Sequence, residues 1–339
     1  MRRPWALPLV PLYWLGLTLK NAWYARHAGR VRRLACPVIS VGSLSAGGAG
    51  KTPVVLMLVD LLTRYGVAAD VLSRGYGRGG GVVEEVDPAG PAQRFGDEPL
   101  EMARRGVRVI VGADRHAAGT LAEAGRNPGI HILDDGFQHR KLARQVDIVL
   151  LTADDMRDSL LPAGNLREPL SSLGRADVVV LREEEEAGPL ILHVRKHSQA
   201  LIWTVRRELV LPAGRPVRPI VFCGLARPQG FAAMLAQARC EAAGEHFFPD
   251  HHAYTDEDFA LLADGARQAG ADGFITTAKD AVKIPADALA RLRAIGPVVV
   301  AELRVTLLKE SQALDDLRAR LPMIVLHSSQ SDRDKWGLS

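Results

Sequence analysis

Lys51 and Thr52 close the run Gly47-Gly48-Ala49-Gly50-Lys51-Thr52, which follows the β-branched stretch Val38-Ile39-Ser40-Val41. That order predicts a strand, a Gly-rich turn and a helix. Glycines let successive backbone N–H groups curl around phosphate oxygens with no Cβ in the way. The helix start adds the positive end of its dipole. In such a loop the Lys51 ammonium reaches the β- and γ-phosphates of a nucleoside triphosphate, and the Thr52 hydroxyl ligates Mg²⁺. Pro53 suits the first helical turn, where its missing N–H is not needed. The strict pattern G-x-x-x-x-G-K-[ST] asks for glycine at position 45, where this chain has Ser45. An ordinary Gly-rich turn is the plainer alternative, but Gly-Lys-Thr between strand and helix favours phosphate binding.

Other groups fit the same chemistry. The apolar residues 130–133 run into Asp134-Asp135. A strand ending in acid is the second half of such a nucleotide site, where an aspartate holds Mg²⁺ directly or through water. Ser73-Arg74-Gly75-Tyr76-Gly77-Arg78 is a Gly-punctuated loop. Arg74 there is open to two readings, guanidinium contact with phosphate or plain turn chemistry. Asp97 and Glu98 open a predicted helix, a position the helix dipole favours for acids without any function. Asp250-His251-His252 suggests metal, but no second matching cluster accompanies it, so a dedicated metal site is not expected there.

Strand-like residues 67–72, 107–111, 130–133, 147–151 and 177–181 alternate with helical patterns, beginning with Val54, Val55, Leu58, Val59, Leu61 and Leu62 at helical spacing. Such alternation implies right-handed βαβ units and a parallel sheet with helices on both faces. Ligands bind at the carboxyl ends of its strands, the edge where the candidate groups fall. Residues 183–186, four glutamates, read as a solvated turn. Residues 201–211 and 219–223 read as a strand pair linking two domains. A second α/β rhythm follows: strands at 220–224, 273–277 and 297–301, and helices at 230–243 and 256–269.

With 339 residues, 47% of them hydrophobic, the chain has material for two domains and a sizeable core. Its three cysteines, Cys36, Cys223 and Cys240, form no CxxC pair, which excludes a disulfide framework and fits a reducing cytosol. The net charge of +4 is spread as arginine and suits anionic substrates or a membrane surface. No nucleic-acid motif accompanies it, so no nucleic-acid partner is expected.

At the amino end, Arg2-Arg3 precede an apolar run over residues 5–19, and Lys20, Arg26, Arg30, Arg32 and Arg33 follow. The run is short for a bilayer span and holds Pro8 and Pro11. Export is not expected, because a phosphate loop follows that needs cytosolic ATP. Two readings stand: a segment lying in the membrane interface, with Trp5, Tyr13, Trp14, Trp23 and Tyr24 at headgroup level, or a helix packed on the protein's own core.

Together the motifs resemble the tetraacyldisaccharide 4′-kinases of lipid A biosynthesis. The matching pieces are Gly47-Gly48-Ala49-Gly50-Lys51-Thr52-Pro53, Ser73-Arg74-Gly75-Tyr76-Gly77, Gly96-Asp97-Glu98-Pro99, Leu133-Asp134-Asp135-Gly136-Phe137-Gln138-His139, Leu161-Pro162-Ala163-Gly164 with Leu166-Arg167-Glu168-Pro169, Phe248-Pro249-Asp250-His251, and Thr276-Thr277 with Lys279-Asp280-Ala281-Val282-Lys283. They span nearly the whole chain and are specific in combination.

The resemblance implies a P-loop NTPase-type α/β fold with a smaller carboxyl-terminal α/β domain on a two-stranded linker. The expected bounds are an interface segment at 1–33, a kinase domain at 34–200, linker strands and the smaller domain at 201–326, and a tail at 327–339. It implies transfer of the ATP γ-phosphate to the 4′-hydroxyl of a tetraacylated glucosamine disaccharide 1-phosphate, with Mg²⁺. The expected setting is a monomer in peripheral contact with the inner membrane of a Gram-negative bacterium, on its cytoplasmic face. By motif position Asp97 corresponds to the catalytic base and His251 to its partner, with Lys51 on the phosphates. His252 competes for the partner role, but the family pattern puts the histidine directly after the aspartate. Glu98 joins Thr52, Asp134 and Asp135 around the metal. Gln138 and His139 join the loop at the nucleotide, and Arg74, Arg115, Arg167 and Glu168 face the substrate. Ala278 departs from the family, which often has an acid there.

Two rivals belong to other classes. Membrane-associated ATPases of the partitioning or metal-insertion type carry a signature lysine in K-G-G-x-G-K-T, where this chain has Ala46. A nucleotide-regulated binding module would have no need of both Asp97 and the Asp134-Asp135 pair.

Overall fold

The computed structural model describes residues 3–27, 30–125, 129–186 and 188–321. Arg2 and the expected tail at 327–339 lie outside the described residues. In chain order the strands are β1 (Val38–Ser43), β2 (Ala69–Ser73), β3 (Glu84–Glu85), β4 (Val109–Val111), β5 (Ile130–Asp134), β6 (Val146–Leu150), β7 (Val178–Arg182), β8 (Leu201–Val210), β9 (Ile220–Cys223), β10 (Gly244–Phe247), β11 (Phe274–Thr277) and β12 (Val298–Leu307). The helices are α1 (Val10–Arg26), α2 (Lys51–Arg64), α3 (Ala92–Phe95), α4 (Asp97–Arg104), α5 (Arg115–Gly125), α6 (Glu183–Glu186), α7 (Pro189–His197), α8 (Pro228–Gln237), α9 (Asp256–Ala269), α10 (Ala278–Ala281), α11 (Ala286–Arg293) and α12 (Glu310–Arg320).

The strands form one sheet in the order β10-β9-β11-β12-β8-β7-β6-β1-β5-β2-β4-β3. From β8 to β4 neighbours run parallel, and β3 closes the edge antiparallel. Its strands are buried on both faces, so they read as continuous apolar runs. Alternate residues enter opposite cores: Ile39 and Val41 join one cluster, Val38 and Leu133 another, and Val149 and Val179 a third. The expected mostly parallel α/β sheet, flanked by helices, is what forms.

The second block, β10-β9-β11-β12, is also parallel. The junction between the blocks is antiparallel: Val205 to Val210 of β8 pair with Leu307 to Glu302 of β12. The first residues of β8 pair with β7, and the first residues of β12 pair with β11. This stagger turns the second block over. The carboxyl ends of both sets of strands therefore face a common cleft.

The two-stranded junction differs from the expected pairing. Residues 219–223 were the expected partner of β8; instead Ile220–Cys223 lies between β10 and β11, and the partner is Val298–Leu307. Residues 183–186, expected as a solvated turn, form a single helical turn with no buried residue, and Glu183 and Glu184 ion-pair with Arg206 and Arg207 on β8. The carboxyl-terminal helix α12 buries Ala313, Leu314 and Leu317 in the same core as Val54 and Leu58 of α2, and Glu310 pairs with Arg64 at 2.8 Å.

At the amino end, the 3₁₀ turn Pro4–Leu9 and α1 after it carry large apolar side chains outward. Trp5 is 76% exposed, Leu12 69% and Leu19 63%, so the segment is no core helix. It is held at few points: Ala6 is buried, the Tyr13 hydroxyl donates to the Arg167 carbonyl at 2.8 Å, and Arg140 donates to Asn21 Oδ1 at 3.2 Å. Among the described residues no helix is long and apolar enough to cross a membrane.

Candidate active site

The phosphate loop lies between β1 and α2. Gly47, Gly48 and Gly50 have φ of +75°, +70° and +84°. A side chain at any of them would be strained, which explains the glycines. Gly50 is the left-handed residue from which α2 starts, aiming the first N–H groups of the helix into the cleft. Ser45, which replaces the usual glycine, is buried, and its carbonyl accepts from the Ser43 hydroxyl at 2.8 Å. Thr52 is buried in the first turn of α2.

Lys51 Nζ lies 3.5 Å from Ser43 Oγ and 3.4 Å from Asp135 Oδ1. Arg167 donates to both oxygens of Asp135, at 2.8 and 2.7 Å. Burial alone would raise the Asp135 carboxyl, but the Arg167 hydrogen bonds and the Lys51 charge hold it well below the usual range. Its backbone φ of +50° turns the chain sharply there. Asp134 behaves oppositely. One oxygen accepts from Ser73 Oγ at 2.9 Å, and the other is buried without a partner. Burial, then the charges of Glu98 and Asp135, push its carboxyl up to about 7.

Gln138 Nε2 donates to the Ser43 carbonyl at 3.1 Å. His139 is pushed down to about 4 by burial and by the Arg115 and Arg144 charges, which leaves a neutral ring at pH 7. Arg115, only 3% exposed, donates to the Gly112 carbonyl at 2.8 Å, and burial pulls it down to about 10. Arg74 is exposed at the end of β2. Glu168 is buried and ion-paired to Arg175, whose guanidinium lies over the Phe137 ring. That pairing gives Glu168 a local partner that its motif did not reveal.

Across the cleft, His251 Nδ1 is 3.2 Å from Asp97 Oδ2. His251 has φ of +58° and contacts the Tyr76 ring at 5.5 Å between centroids. His252 turns the other way: its Nε2 meets Asp258 Oδ2 at 2.8 Å, and its ring stacks on Phe248. Geometry therefore separates the two histidines that sequence left competing.

Glu98 is 4.0 Å from Lys279 Nζ. Among the described residues, Cys36, Glu123 and His131 form a trio with ligand atoms within 4.8 Å of one another, and Asp134, Asp135 and Glu98 form no such trio. Cys36 and His131 belong to the amino ends of β1 and β5, away from the phosphate loop.

A cavity of about 660 Å³ joins the phosphate loop, Glu98, His251 and Lys279, and Arg74, Asp97, Arg115, Asp134, Asp135, Gln138, His139, Arg167 and Glu168 are not among its lining residues. Its floor is residues 47–52, one wall carries Leu225, Phe231 and Met234, and Asp250, His251 and Lys279 close it from the second block. An apolar wall beside a phosphate loop suits a base stacked next to its triphosphate. Sequence reasoning assigned no role to Lys279, Arg227 or Arg182, although Lys279 lay in a quoted motif. Arg182 and Arg227 line the cavity in segments without any pattern to mark them.

Comparison with known proteins agrees with this geometry. Residues 3–322 match the family model for tetraacyldisaccharide-1-P 4′-kinase. The tetraacyldisaccharide 4′-kinase of Koribacter versatilis is 40% identical over 322 residues, covering 91% of this chain and 97% of that protein. The enzyme of the same name from Geobacter metallireducens is 38% identical, covering 87% and 91%. A solved structure, LpxK from Aquifex aeolicus in complex with ATP, superposes with a TM-score of 0.75 at 32% identity over 93% of this chain and 98% of that one. The chain belongs to the tetraacyldisaccharide-1-P 4′-kinase family.

Proposed function

We propose that this chain is a lipid A disaccharide 4′-kinase, moving the γ-phosphate of ATP to the 4′-hydroxyl of a tetraacylated glucosamine disaccharide 1-phosphate. The observation that carries the reading is one cleft lined by Lys51 on the phosphate loop and by His251, whose ring meets Asp97 at 3.2 Å. The P–O bond to the new acceptor forms as the bond to the β-phosphate oxygen breaks, and the hydroxyl proton passes to a carboxylate. Such transfer is mostly positioning and charge neutralisation. Lys51 supplies charge at the phosphates. Asp97 takes the proton, and His251 orients its carboxylate. The rival ATPase reading finds no support in the family match.

The residues present fit Mg²⁺. Asp134 offers a buried oxygen with no other partner, and Thr52 a hydroxyl at the helix start. Both would hold the ion with Glu98, the remaining positions going to waters and phosphate oxygens. Asp135, committed to Arg167 and Lys51, acts through them. Bound there, the ion would neutralise phosphate charge. Arg74 and Arg115 remain the candidates for substrate phosphate and Gln138 and His139 those for the nucleotide, although none of the four lines the cavity and Arg115 is buried.

The exposed apolar face of residues 5–19, followed by arginines, supports docking into a membrane interface; we set that interface at the cytoplasmic face of the inner membrane, with the protein as a monomer. Mass spectrometry of the acceptor after incubation with protein, ATP and Mg²⁺ tests the assignment. A gain of one phosphate on the distal sugar is expected. ATP hydrolysis with an unchanged acceptor would overturn it.

A further inference from the structure

Residues 276–283 form a brace behind the histidine. Asp280, fully buried, accepts from the Gly224 backbone N–H at 3.0 Å and from Thr277 Oγ1 at 2.6 Å, and pairs with Lys283 at 2.9 Å. Lys283 in turn donates to the His252 carbonyl at 3.1 Å. The brace thus fixes both α10 and the loop that holds His251 in its left-handed conformation. From this platform Lys279 extends its ammonium to Asp250 Oδ1 at 2.8 Å and to His251 Nε2 at 3.3 Å.

An ammonium has donors and no acceptor, so the ring nitrogen it faces must present a lone pair. A carboxylate only accepts, so the nitrogen facing Asp97 must carry the proton. Two neighbours on opposite sides of the ring therefore demand one tautomer. We propose that Lys279 is a positioning residue that locks His251 as the neutral Nδ1–H form, so that His251 donates to Asp97 instead of competing with it for the acceptor proton.

The consequence is a division of roles. Asp97 Oδ2 is occupied by the His251 N–H, and the hydroxyl proton passes to the carboxylate as the acceptor oxygen bonds to phosphorus and the β-phosphate oxygen departs. Without Lys279 only Asp97 biases the ring, and the tautomer that points a lone pair at the carboxylate becomes more accessible. This rests on the kinase reading for its effect on turnover, but the tautomer itself does not.

The test uses protein labelled with ¹⁵N in its histidine rings, with His251→Gln identifying the His251 signals. Wild type should show the Nδ1–H tautomer at His251. Lys279→Met should weaken that bias and lower kcat roughly tenfold to a hundredfold, the scale for losing a group that orients an active ligand. The KM for ATP should stay unchanged, and Lys279→Arg should restore part of kcat. An Nε2–H tautomer in wild type would overturn the proposal. So would a raised KM for ATP with an unchanged tautomer, which would make Lys279 a phosphate ligand. Failure of wild type to phosphorylate the acceptor would sink the kinase reading, and the spectrum would still report the tautomer.

Discussion

His251 Nδ1 lies 3.2 Å from Asp97 Oδ2, across a sequence separation of 154 residues. Asp97 opens α4 in the first block, and His251 follows β10 in the second. The contact exists because the antiparallel β8–β12 junction turns the second block to face the first. The pair is therefore completed by residues of both blocks.

Lys51→Ala should reduce turnover roughly 10²–10³-fold, the cost of losing one positioned charge donor at a developing phosphate charge. The variant should stay folded, since the partners of Lys51 are Asp135 and Ser43, and Asp135 retains both Arg167 contacts. Steady-state kinetics with a melting curve check both statements. Turnover near wild type would contradict the phosphate-loop assignment.

The buried carboxyls Asp134 and Glu101 should make the ligand-free protein lose stability as pH rises, a trend that His139, pushed down to about 4, partly opposes. Burial lifts Asp134 and Glu101 from the ordinary carboxylate range to about 7. Between the ordinary and the raised value the unfolded chain has released these protons and the native state has not. Stability therefore falls as pH climbs through this window and levels off above about 7. Asp134→Asn removes part of the slope and should raise the melting temperature at neutral pH in the absence of Mg²⁺ and ATP. Thermal melts across the window decide it; a variant with the wild-type slope would contradict the account.

The phosphate loop was legible because its chemistry is local: Gly47, Gly48 and Gly50 announce left-handed backbone before a helix. The parallel sheet was legible for a similar reason, since buried strands are apolar throughout. The linker was not. Glu302 and Arg304 interrupt β12, so its second half resembles a loop, and the pairing with β8 is set by two blocks meeting rather than by a turn. Helix α12 was hidden because few apolar residues, Ala313, Leu314 and Leu317, mark it among charges. Residues 183–186 show the same limit: four glutamates read as a solvated turn until Arg206 and Arg207 stand beside them. At the site, spacing alone could not join Asp97 to His251, and the family motif supplied the link. Lys279 needed coordinates, because its meaning lies in which ring nitrogen it faces.

Replacing Trp5, Leu12 and Leu19 together with serine should leave folding intact, since these side chains are exposed, and should weaken co-sedimentation with anionic vesicles. Substitution is cleaner than deletion of residues 1–24, which also removes the Tyr13 and Asn21 contacts. Activity on the acylated acceptor should fall more than activity on a deacylated one. Undiminished vesicle binding would place membrane contact elsewhere.

The central claim is that Asp97 and His251 act as one unit across the cleft. A double-mutant cycle on kcat/KM for the lipid acceptor, with ATP binding followed separately, tests it most directly. Asp97→Asn should remove most transfer with ATP affinity nearly intact, and His251→Ala should be damaging as well. The double variant should be little worse than the worse single one, because members of one catalytic unit are not additive. Fully additive losses would show the two residues working independently, and unimpaired turnover in Asp97→Asn would remove the base from the account.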